Sequence, residues 1–165
     1  MTASTLPRGG AVSAALVSIT VVLAAGLIGS TATFSSLVPW YAGLNKPVFT
    51  PPNWLFGPAW TTLYILMALA FWRVLASDAD KSLLRPAVFW FLVQITLNAL
   101  WSVAFFGLRS PAGGLVVIAL MIIAILLTLA CFWRVDPPAG LLLVPYLAWV
   151  VFASALNAAV WLLNR

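Results

Sequence analysis

"AGGLVVIALMIIAILLTLACFWR", which runs from Ala112 to Arg134, decides the fold because it carries no charged residue before its last position. A helix rises by about 1.5 Å per residue, so a run of this length crosses a hydrocarbon core of ~30 Å. The rest of the chain has the same character, since 64% of its 165 residues are hydrophobic and 7% are charged. Soluble domains carry about 25% charged residues. The sequence therefore predicts an integral membrane protein.

Five apolar runs are long enough to cross the bilayer, and they cover about 11–36, 53–76, 84–107, 112–134 and 138–163. Helices are the expected form, because an isolated strand would leave backbone groups without partners in lipid. The last three connections are very short, so the helices that they join run antiparallel. We predict an all-α, multi-pass membrane protein, a bundle of five transmembrane helices that forms one domain over residues 1–165, with a lid loop at 37–52.

The first run permits a second interpretation as a cleaved signal peptide, since Arg8 precedes it and small residues follow its apolar core. However, the run is longer than an ordinary signal core, and its small residues suit close packing against another helix: Ala24, Gly26, Gly29 and Ser30. We therefore interpret it as a retained helix. The net charge of +5 fits basic residues at the membrane edges, so no nucleic acid partner is predicted.

Several residue types that enzymes commonly use are absent. The chain has no histidine and no glutamate, and its three aspartates lie in connections between the apolar runs: Asp78, Asp80 and Asp136. Metal centres need histidine, cysteine or carboxylate ligands, and activated nucleophiles need a neighbouring base. With Cys131 as the single cysteine, we predict no metal site and no required cofactor. Function must then rest on aromatic, amide and hydroxyl side chains.

The nine tryptophans carry most of the remaining information. Tryptophans at span ends usually form an interfacial belt, which accounts for Trp72, Trp90, Trp133 and Trp161. Three others lie deeper in the apolar runs, and a belt does not account for them: Trp60, Trp101 and Trp149. Either these three pack within the bundle or they line a cavity.

Helical spacing places the deeper tryptophans on mixed aromatic and polar stripes. The second run carries Trp60, Tyr64, Met67 and Phe71; the third carries Gln94, Asn98, Trp101 and Phe105; the fifth carries Tyr146, Trp149, Ala153 and Asn157. Amide side chains lack partners in lipid, so the stripes should face one another inside the bundle. For Asn98 and Asn157, ligand contact and hydrogen bonding between helices stay open as two interpretations. Pro145 should kink the fifth helix beside the cavity.

The loop before the second run is stiff and aromatic, and with the start of that run it reads WYAGLNKPVFTPPNWLFGPAW from Trp40 to Trp60. Its prolines fix backbone torsions, so little entropy is lost on closing over a ligand: Pro47, Pro51 and Pro52. Trp40, Tyr41 and Trp54 supply flat apolar area. Lys46 supplies a cation, and Asn53 suits the N-cap of the second helix. We predict a lid over an aromatic cavity that suits a flat conjugated ligand.

The chain contains the segments WYAGLNKPVFTPPNWLFGPAWTTLY, LNALWSVAFFG and PYLAWVVFASALN. Together they resemble the TspO/translocator-protein family, the tryptophan-rich sensory proteins, and the resemblance covers about Gly26 to Arg165. It implies a five-helix membrane protein, usually a homodimer, that binds porphyrins and other tetrapyrroles and, in many members, sterols and benzodiazepine-type drugs. It also implies a pocket between helices, under the first loop, lined by Tyr41, Trp54, Trp60, Asn98, Trp101, Trp149, Phe152 and Ala153.

Two departures from the family pattern matter. The proposed sterol motif needs a lysine or arginine within five residues after a tyrosine, and none follows Tyr146. Sterol binding through that motif is therefore not predicted. Gly113 and Gly114 stand where some members have bulkier residues, so we expect a wider pocket there.

We interpret the chain as a membrane sensor or regulator that binds a porphyrin or related flat apolar ligand, rather than as an enzyme. Two alternatives stay open: a carrier of porphyrin, lipid or sterol, and an enzyme that breaks down porphyrin in light, for which the resemblance implies Trp60 and Trp149. The predicted partners are the ligand, the lipid bilayer and a second copy of the chain. The predicted ligand-binding residues are Tyr41, Lys46, Pro51, Pro52, Trp54, Trp60, Tyr64, Asn98, Trp101, Phe105, Tyr146, Trp149, Phe152, Ala153 and Asn157.

Overall fold

The computed structural model describes residues 8–38 and 40–165, and both residues 1–7 and Pro39 of the predicted lid lie outside this description. The helices are α1 (Arg8–Leu37), α2 (Asn53–Leu75), α3 (Lys81–Ser102), α4 (Pro111–Val135), α5 (Pro137–Leu142) and α6 (Val144–Leu163). A 3-10 turn, Tyr41–Gly43, lies in the first loop, and a π-helical turn, Val103–Gly107, continues α3.

Five helical segments are long and apolar enough to cross a membrane, and α5 and α6 together form the fifth. The predicted all-α bundle of five transmembrane helices is confirmed. The helix α1 packs against the rest of the bundle, and the indole N–H of Trp72 at the end of α2 donates a hydrogen bond to the Ala11 carbonyl at 3.1 Å.

Prolines and one serine set where the helices begin. Pro111 and Pro137 occupy the first turns of α4 and α5, where a missing N–H removes no helical hydrogen bond. The side chain of Ser110 caps α4 by accepting a hydrogen bond from the backbone N–H of Gly113 at 3.0 Å.

The N-cap predicted for α2 is wrong. Pro52, with φ of −57° and ψ of 141°, takes the cap position, and Asn53 is the first residue of the helix. Because the proline ring fixes φ near this value, the chain turns into the helix without a capping side chain.

The fifth span is broken at Leu143, whose N–H donates to the Gly140 carbonyl at 3.1 Å. Pro145, at the start of α6, has no N–H to donate to the Leu141 carbonyl four residues earlier. The predicted kink beside Pro145 is therefore confirmed.

A stack of three phenylalanines joins α2, α3 and α4 in the half of the bundle away from the lid. The rings of Phe71 and Phe91 lie 4.0 Å apart between centroids, and those of Phe91 and Phe132 lie 5.7 Å apart, both pairs within 14° of parallel. All three side chains are buried, as is Met67 one turn nearer the lid. Met67 and Phe71, the two residues of the predicted α2 stripe that lie farthest from the lid, thus belong to the packed core.

An ion pair lies at the end of the bundle away from the lid. The Arg73 guanidinium donates to both carboxylate oxygens of Asp136, with Nε–Oδ2 at 2.5 Å and Nη2–Oδ1 at 3.2 Å. This bidentate contact ties the end of α2 to the connection between α4 and α5. Arg73 is about two-fifths exposed, so the pair orients these elements more than it stabilises them.

Removing the central ring of the phenylalanine stack should destabilise the bundle. We expect Phe91→Ala to lower the free energy of unfolding by roughly 3–5 kcal/mol, because it leaves a cavity between two stacked rings. Phe89→Ala is the matched control, since Phe89 lies on the same helix and is 57% exposed. Thermal unfolding in detergent micelles measures both variants, and equal losses would contradict this account of the core.

Candidate ligand-binding cavity

A cavity of about 650 Å³ lies in the half of the bundle nearest the lid. It is enclosed by α1, α2, the end of α3 with its π turn, and α6, and Tyr41 of the first loop lines it as well. None of the described residues that line it carries a formal charge. In the described parts of the chain, no group of three or more histidine, cysteine or acidic residues is placed to hold a metal ion.

Nine predicted site residues line this cavity: Tyr41, Trp54, Trp60, Tyr64, Trp101, Phe105, Trp149, Ala153 and Asn157. Six do not: Lys46, Pro51, Pro52, Asn98, Tyr146 and Phe152. Pro51 and Phe152 instead line a groove on the outside of the bundle between α2 and α6, which shares Trp149 with the cavity. Pro52 lies at the N-cap of α2.

Asn98 and Tyr146 lie behind the cavity wall and hold one of its residues in place. The Tyr64 hydroxyl donates to the Asn98 side-chain carbonyl at 3.0 Å, and the Asn98 amide donates to the Tyr146 hydroxyl at 3.2 Å. The Tyr146 hydroxyl in turn reaches the Met121 sulfur at 3.5 Å. These bonds join α2, α3, α4 and α6, so Asn98 serves interhelical bonding in this structure. Gln94, one turn deeper, is buried with neither amide atom bonded to another described residue.

A second chain of hydrogen bonds runs through Asn157. The Trp101 indole N–H donates to Asn157 Oδ1 at 3.1 Å, and Asn157 Nδ2 donates to the Pro111 carbonyl at 2.8 Å. Asn157 therefore both lines the cavity and links α3, α6 and the start of α4. Because both the oxygen and the nitrogen of the Asn157 amide are hydrogen-bonded, the main effect of Asn157 is to fix the plane of the Trp101 ring.

The expected widening beside Gly113 and Gly114 is not found, because neither glycine lines the cavity. A Cβ on Gly114 would lie 2.6 Å from Asn157 Oδ1 and 3.0 Å from a ring carbon of Phe105. The absent side chain at Gly114 thus gives Asn157 and Phe105 room to pack against α4.

Aromatic rings cover the cavity walls in stacked and edge-on pairs. Trp101 and Phe105 stack with centroids 5.4 Å apart, and Trp60 and Tyr64 lie 5.5 Å apart at 33°. The Trp149 ring of α6 packs edge-on against Phe56 of α2, with centroids 6.0 Å apart. The cavity therefore offers flat apolar faces from three helices.

The first loop closes the cavity at the membrane surface. Trp40 packs edge-on against Phe105 and Phe106 at 5.6 and 6.5 Å, and Tyr41 is buried against the same two rings. Burial raises the pKa of the Tyr41 phenol further above physiological pH, where this side chain is neutral in any case. The Lys46 ammonium lies 4.8 Å from the centre of the Tyr41 ring.

Lys46 and Asn45 fix the rest of the loop. Lys46 Nζ donates to the carbonyls of Ala42 and Leu44, both at 3.2 Å, so the ammonium is held by its own loop. Asn45 forms a reciprocal pair with Asn164, just past the end of α6. Its N–H donates to Asn164 Oδ1, and its carbonyl accepts from Asn164 Nδ2, each at 2.9 Å.

Comparison with known proteins gives the family of this chain. The TspO/MBR family model matches residues 18–162. The chain belongs to the TspO/MBR family. It is 48% identical to the tryptophan-rich protein TspO of Archaeoglobus fulgidus over 89% of this chain and 94% of that protein. It is 38% identical to the tryptophan-rich sensory protein of Cereibacter sphaeroides, over 82% of this chain and 85% of that protein. It is 36% identical to the human translocator protein, over 81% of this chain and 80% of that protein. Family and fold together establish a multi-pass integral membrane protein.

The contribution of α1 to the cavity of this TspO/MBR-family chain was not predicted. Its inner face supplies Val22, Gly26, Gly29, Thr33 and Leu37, which recur every three or four residues. A Cβ on Gly26 would lie 3.2 Å from the Tyr64 ring, and one on Gly29 would lie 3.2 Å from Ser102 Oγ. The small residues in the first apolar run could have indicated this contribution, since they form a helix face that side chains of neighbouring helices approach closely.

The two glycines Gly114 and Gly57 should respond in opposite ways to alanine. Gly114→Ala should destabilise the protein by roughly 1–3 kcal/mol, because the added methyl collides with Asn157 and Phe105. Gly57→Ala should stabilise it by up to about 1 kcal/mol, because a Cβ there meets nothing within 4 Å and alanine favours the helix. Thermal unfolding tests both; a stabilising Gly114→Ala would show that the site is not tightly packed.

Breaking the loop's attachment to α6 should loosen the lid. Asn164→Ala removes both hydrogen bonds to Asn45, so we expect faster amide hydrogen exchange in residues 40–50 and little change in α3. Ser154→Ala is the control, since Ser154 lies on α6, the helix that ends just before Asn164, and its hydroxyl bonds only to the Val151 carbonyl. Unchanged exchange in the loop of Asn164→Ala would mean that other contacts hold the lid.

Proposed function

We propose that this protein is a membrane sensor or regulator that binds a porphyrin or related tetrapyrrole in the cavity under the first loop. The observation that carries the proposal is the placement of Trp60, Trp101 and Trp149, from three different helices, around one charge-free space of about 650 Å³. A flat conjugated macrocycle matches such walls, because it gains from stacking and from burying apolar area.

Free polar groups on the walls add a further basis for recognition. The Trp101 N–H is bonded to Asn157, but within the described chain the indole N–H groups of Trp60 and Trp149 have no hydrogen-bond partner. The Tyr64 hydroxyl donates to Asn98, which leaves its oxygen able to accept. We infer that these groups can serve as two donors and an acceptor for a ligand, since Trp60, Trp149 and Tyr64 all line the cavity.

The absence of charge in the cavity also bears on how an acidic porphyrin sits. Ionised carboxylates are costly to bury without a partner, so the propionates should point to the mouth of the cavity. Lys46, which lies in the lid, donates hydrogen bonds to carbonyls of its own loop. Its contribution should therefore be small and should decrease as salt rises.

Names of relatives point to two of the predicted roles, since one is called a sensory protein and others are called translocator proteins. We favour a sensor or regulator over a carrier, because the described spans contain no acidic residue that could couple transport to protons. Light-dependent breakdown of porphyrin is the second candidate, since both tryptophans implied for it, Trp60 and Trp149, face the cavity. The family resemblance also favours a homodimer.

Binding should depend on the cavity tryptophans and not on those of the belt. We expect Trp60→Ala, Trp101→Ala and Trp149→Ala each to weaken protoporphyrin binding, because each removes a stacking contact of on the order of 1–3 kcal/mol. This corresponds to a loss of roughly five- to hundredfold in affinity. Trp133→Ala is the control, since Trp133 is 46% exposed on α4 and lines no part of the cavity.

The measurement is quenching of tryptophan fluorescence by protoporphyrin, titrated in nanodiscs for each folded variant. Equal losses for Trp133→Ala and Trp149→Ala would mean that pigment adsorbs nonspecifically and would contradict the proposed site. The same samples, kept in the dark and in light, separate binding from breakdown. Unchanged pigment in light supports a binding protein, whereas a new product that is absent with Trp149→Phe supports the enzyme.

A further inference from the structure

The cavity has a side opening between α1 and α2. Eight residues line the cavity and are at the same time exposed on the outside of the bundle: Leu23, Leu27, Ser30, Phe34, Asn53, Trp54, Gly57 and Thr61. Leu27 is 67% exposed, Phe34 76% and Trp54 71%. A side chain that is both exposed and part of a cavity wall marks the edge of an opening. We name this opening, with its eight rim residues, the α1–α2 slit.

Residue size explains why the slit exists. The rim includes Ser30, Gly57 and Thr61, and a Cβ built on Gly57 would meet no atom within 4 Å. Deeper in the membrane the two helices do meet, because Gly26 allows the Tyr64 ring to approach α1 closely. The helices are therefore in contact at Gly26 and Tyr64, at the end of the cavity away from the lid, and leave open space at Gly57 nearer the lid.

The chemistry of the rim suits hydrocarbon, apart from the Asn53 amide at the lid end of the slit. The Thr61 hydroxyl donates to the Gly57 carbonyl at 2.9 Å within α2, so its proton needs no partner from outside. Just inside the slit, the Thr33 hydroxyl does the same with the Gly29 carbonyl at 2.8 Å. Both helices are long and apolar enough to cross a membrane, so we expect the slit to face acyl chains.

The other route into the cavity is obstructed. Trp40 and Tyr41 pack on the aromatic rings of the π turn, and the pair formed by Asn45 and Asn164 attaches the loop to α6. Entry from water would have to break these contacts, whereas entry from the bilayer needs only displacement of lipid from the slit.

We propose that the α1–α2 slit is the entrance through which a porphyrin-class pigment dissolved in the bilayer moves sideways into the cavity. This proposal rests on the proposed function and adds the source of the ligand, which is the hydrocarbon phase of the membrane. A flat apolar pigment concentrates in that phase, and the slit accepts it edge-on between two helices.

Narrowing the slit should slow exchange of pigment in both directions. The protein in liposomes is mixed with vesicles preloaded with protoporphyrin, and quenching of tryptophan fluorescence measures loading. Excess empty vesicles are then added, and the recovery of fluorescence measures release. We expect Ser30→Leu to slow both rates by about tenfold, equivalent to about 1.4 kcal/mol of added barrier. Thr31→Leu is the matched control, because Thr31 is the next residue of α1 and does not line the cavity.

The lid variant Asn164→Ala separates the two routes. Entry through the slit predicts that loading keeps its wild-type rate when the lid is released. Wild-type rates for Ser30→Leu, or faster loading for Asn164→Ala, would overturn the proposal.

A readout without pigment keeps the test independent of the proposed function. In a Cys131→Ala background, a fluorophore on Ser30→Cys should be quenched by phospholipids with brominated acyl chains, and one on Asn45→Cys in the lid should not. No quenching at Ser30→Cys would contradict a slit open to lipid, even if the pigment binds. Quenching without any effect of Ser30→Leu on loading would mean that lipid chains occupy the slit and pigment enters elsewhere. If protoporphyrin fails to bind the wild type at all, the equilibrium titration reveals it as a failure of the proposed function.

Discussion

In hydrocarbon a polar side chain has no water to bond, so its partner must come from the protein, and this constraint shapes the half of the bundle near the lid. Two chains of hydrogen bonds satisfy this constraint. One runs from Tyr64 through Asn98 to Tyr146. The other runs from Trp101 through Asn157 to the Pro111 carbonyl. They join α2, α3, α4 and α6 and fix two of the aromatic rings that face the cavity. A site built this way is organised before any ligand arrives and needs no charge.

The same helices serve two different purposes at their two ends. Away from the lid, the rings of Phe71, Phe91 and Phe132 stack directly on one another and leave no space. Near the lid, the π turn carries Phe105 and Phe106 into contact with both aromatic residues at the start of the loop. The extra residue of a π turn changes the direction of successive side chains, which explains how two neighbouring residues both pack beneath the lid. The packed end anchors the helices while the other end keeps its cavity.

The sequence predicted the five spans well because hydrocarbon thickness sets the length of an apolar run, and the kink at Pro145 followed from its missing N–H. Helical spacing selected the face of Trp60, Trp101 and Trp149. Spacing does not give depth, however, so it could not separate Asn98, which lies behind the wall, from Asn157, which reaches the cavity. It also could not place the Lys46 ammonium, whose partners are backbone carbonyls of its own loop.

The central claim is that stacking on the cavity walls, and not a charged or metal site, holds the pigment. The most direct measurement is an experimental structure of the protein with protoporphyrin in a lipid bilayer. The account predicts a macrocycle inside the cavity, with its face against at least one of the Trp60, Trp101 and Trp149 rings and its propionates toward the lid. A pigment bound in the outer groove between α2 and α6, or on the lipid-facing surface with the cavity unchanged, would contradict it.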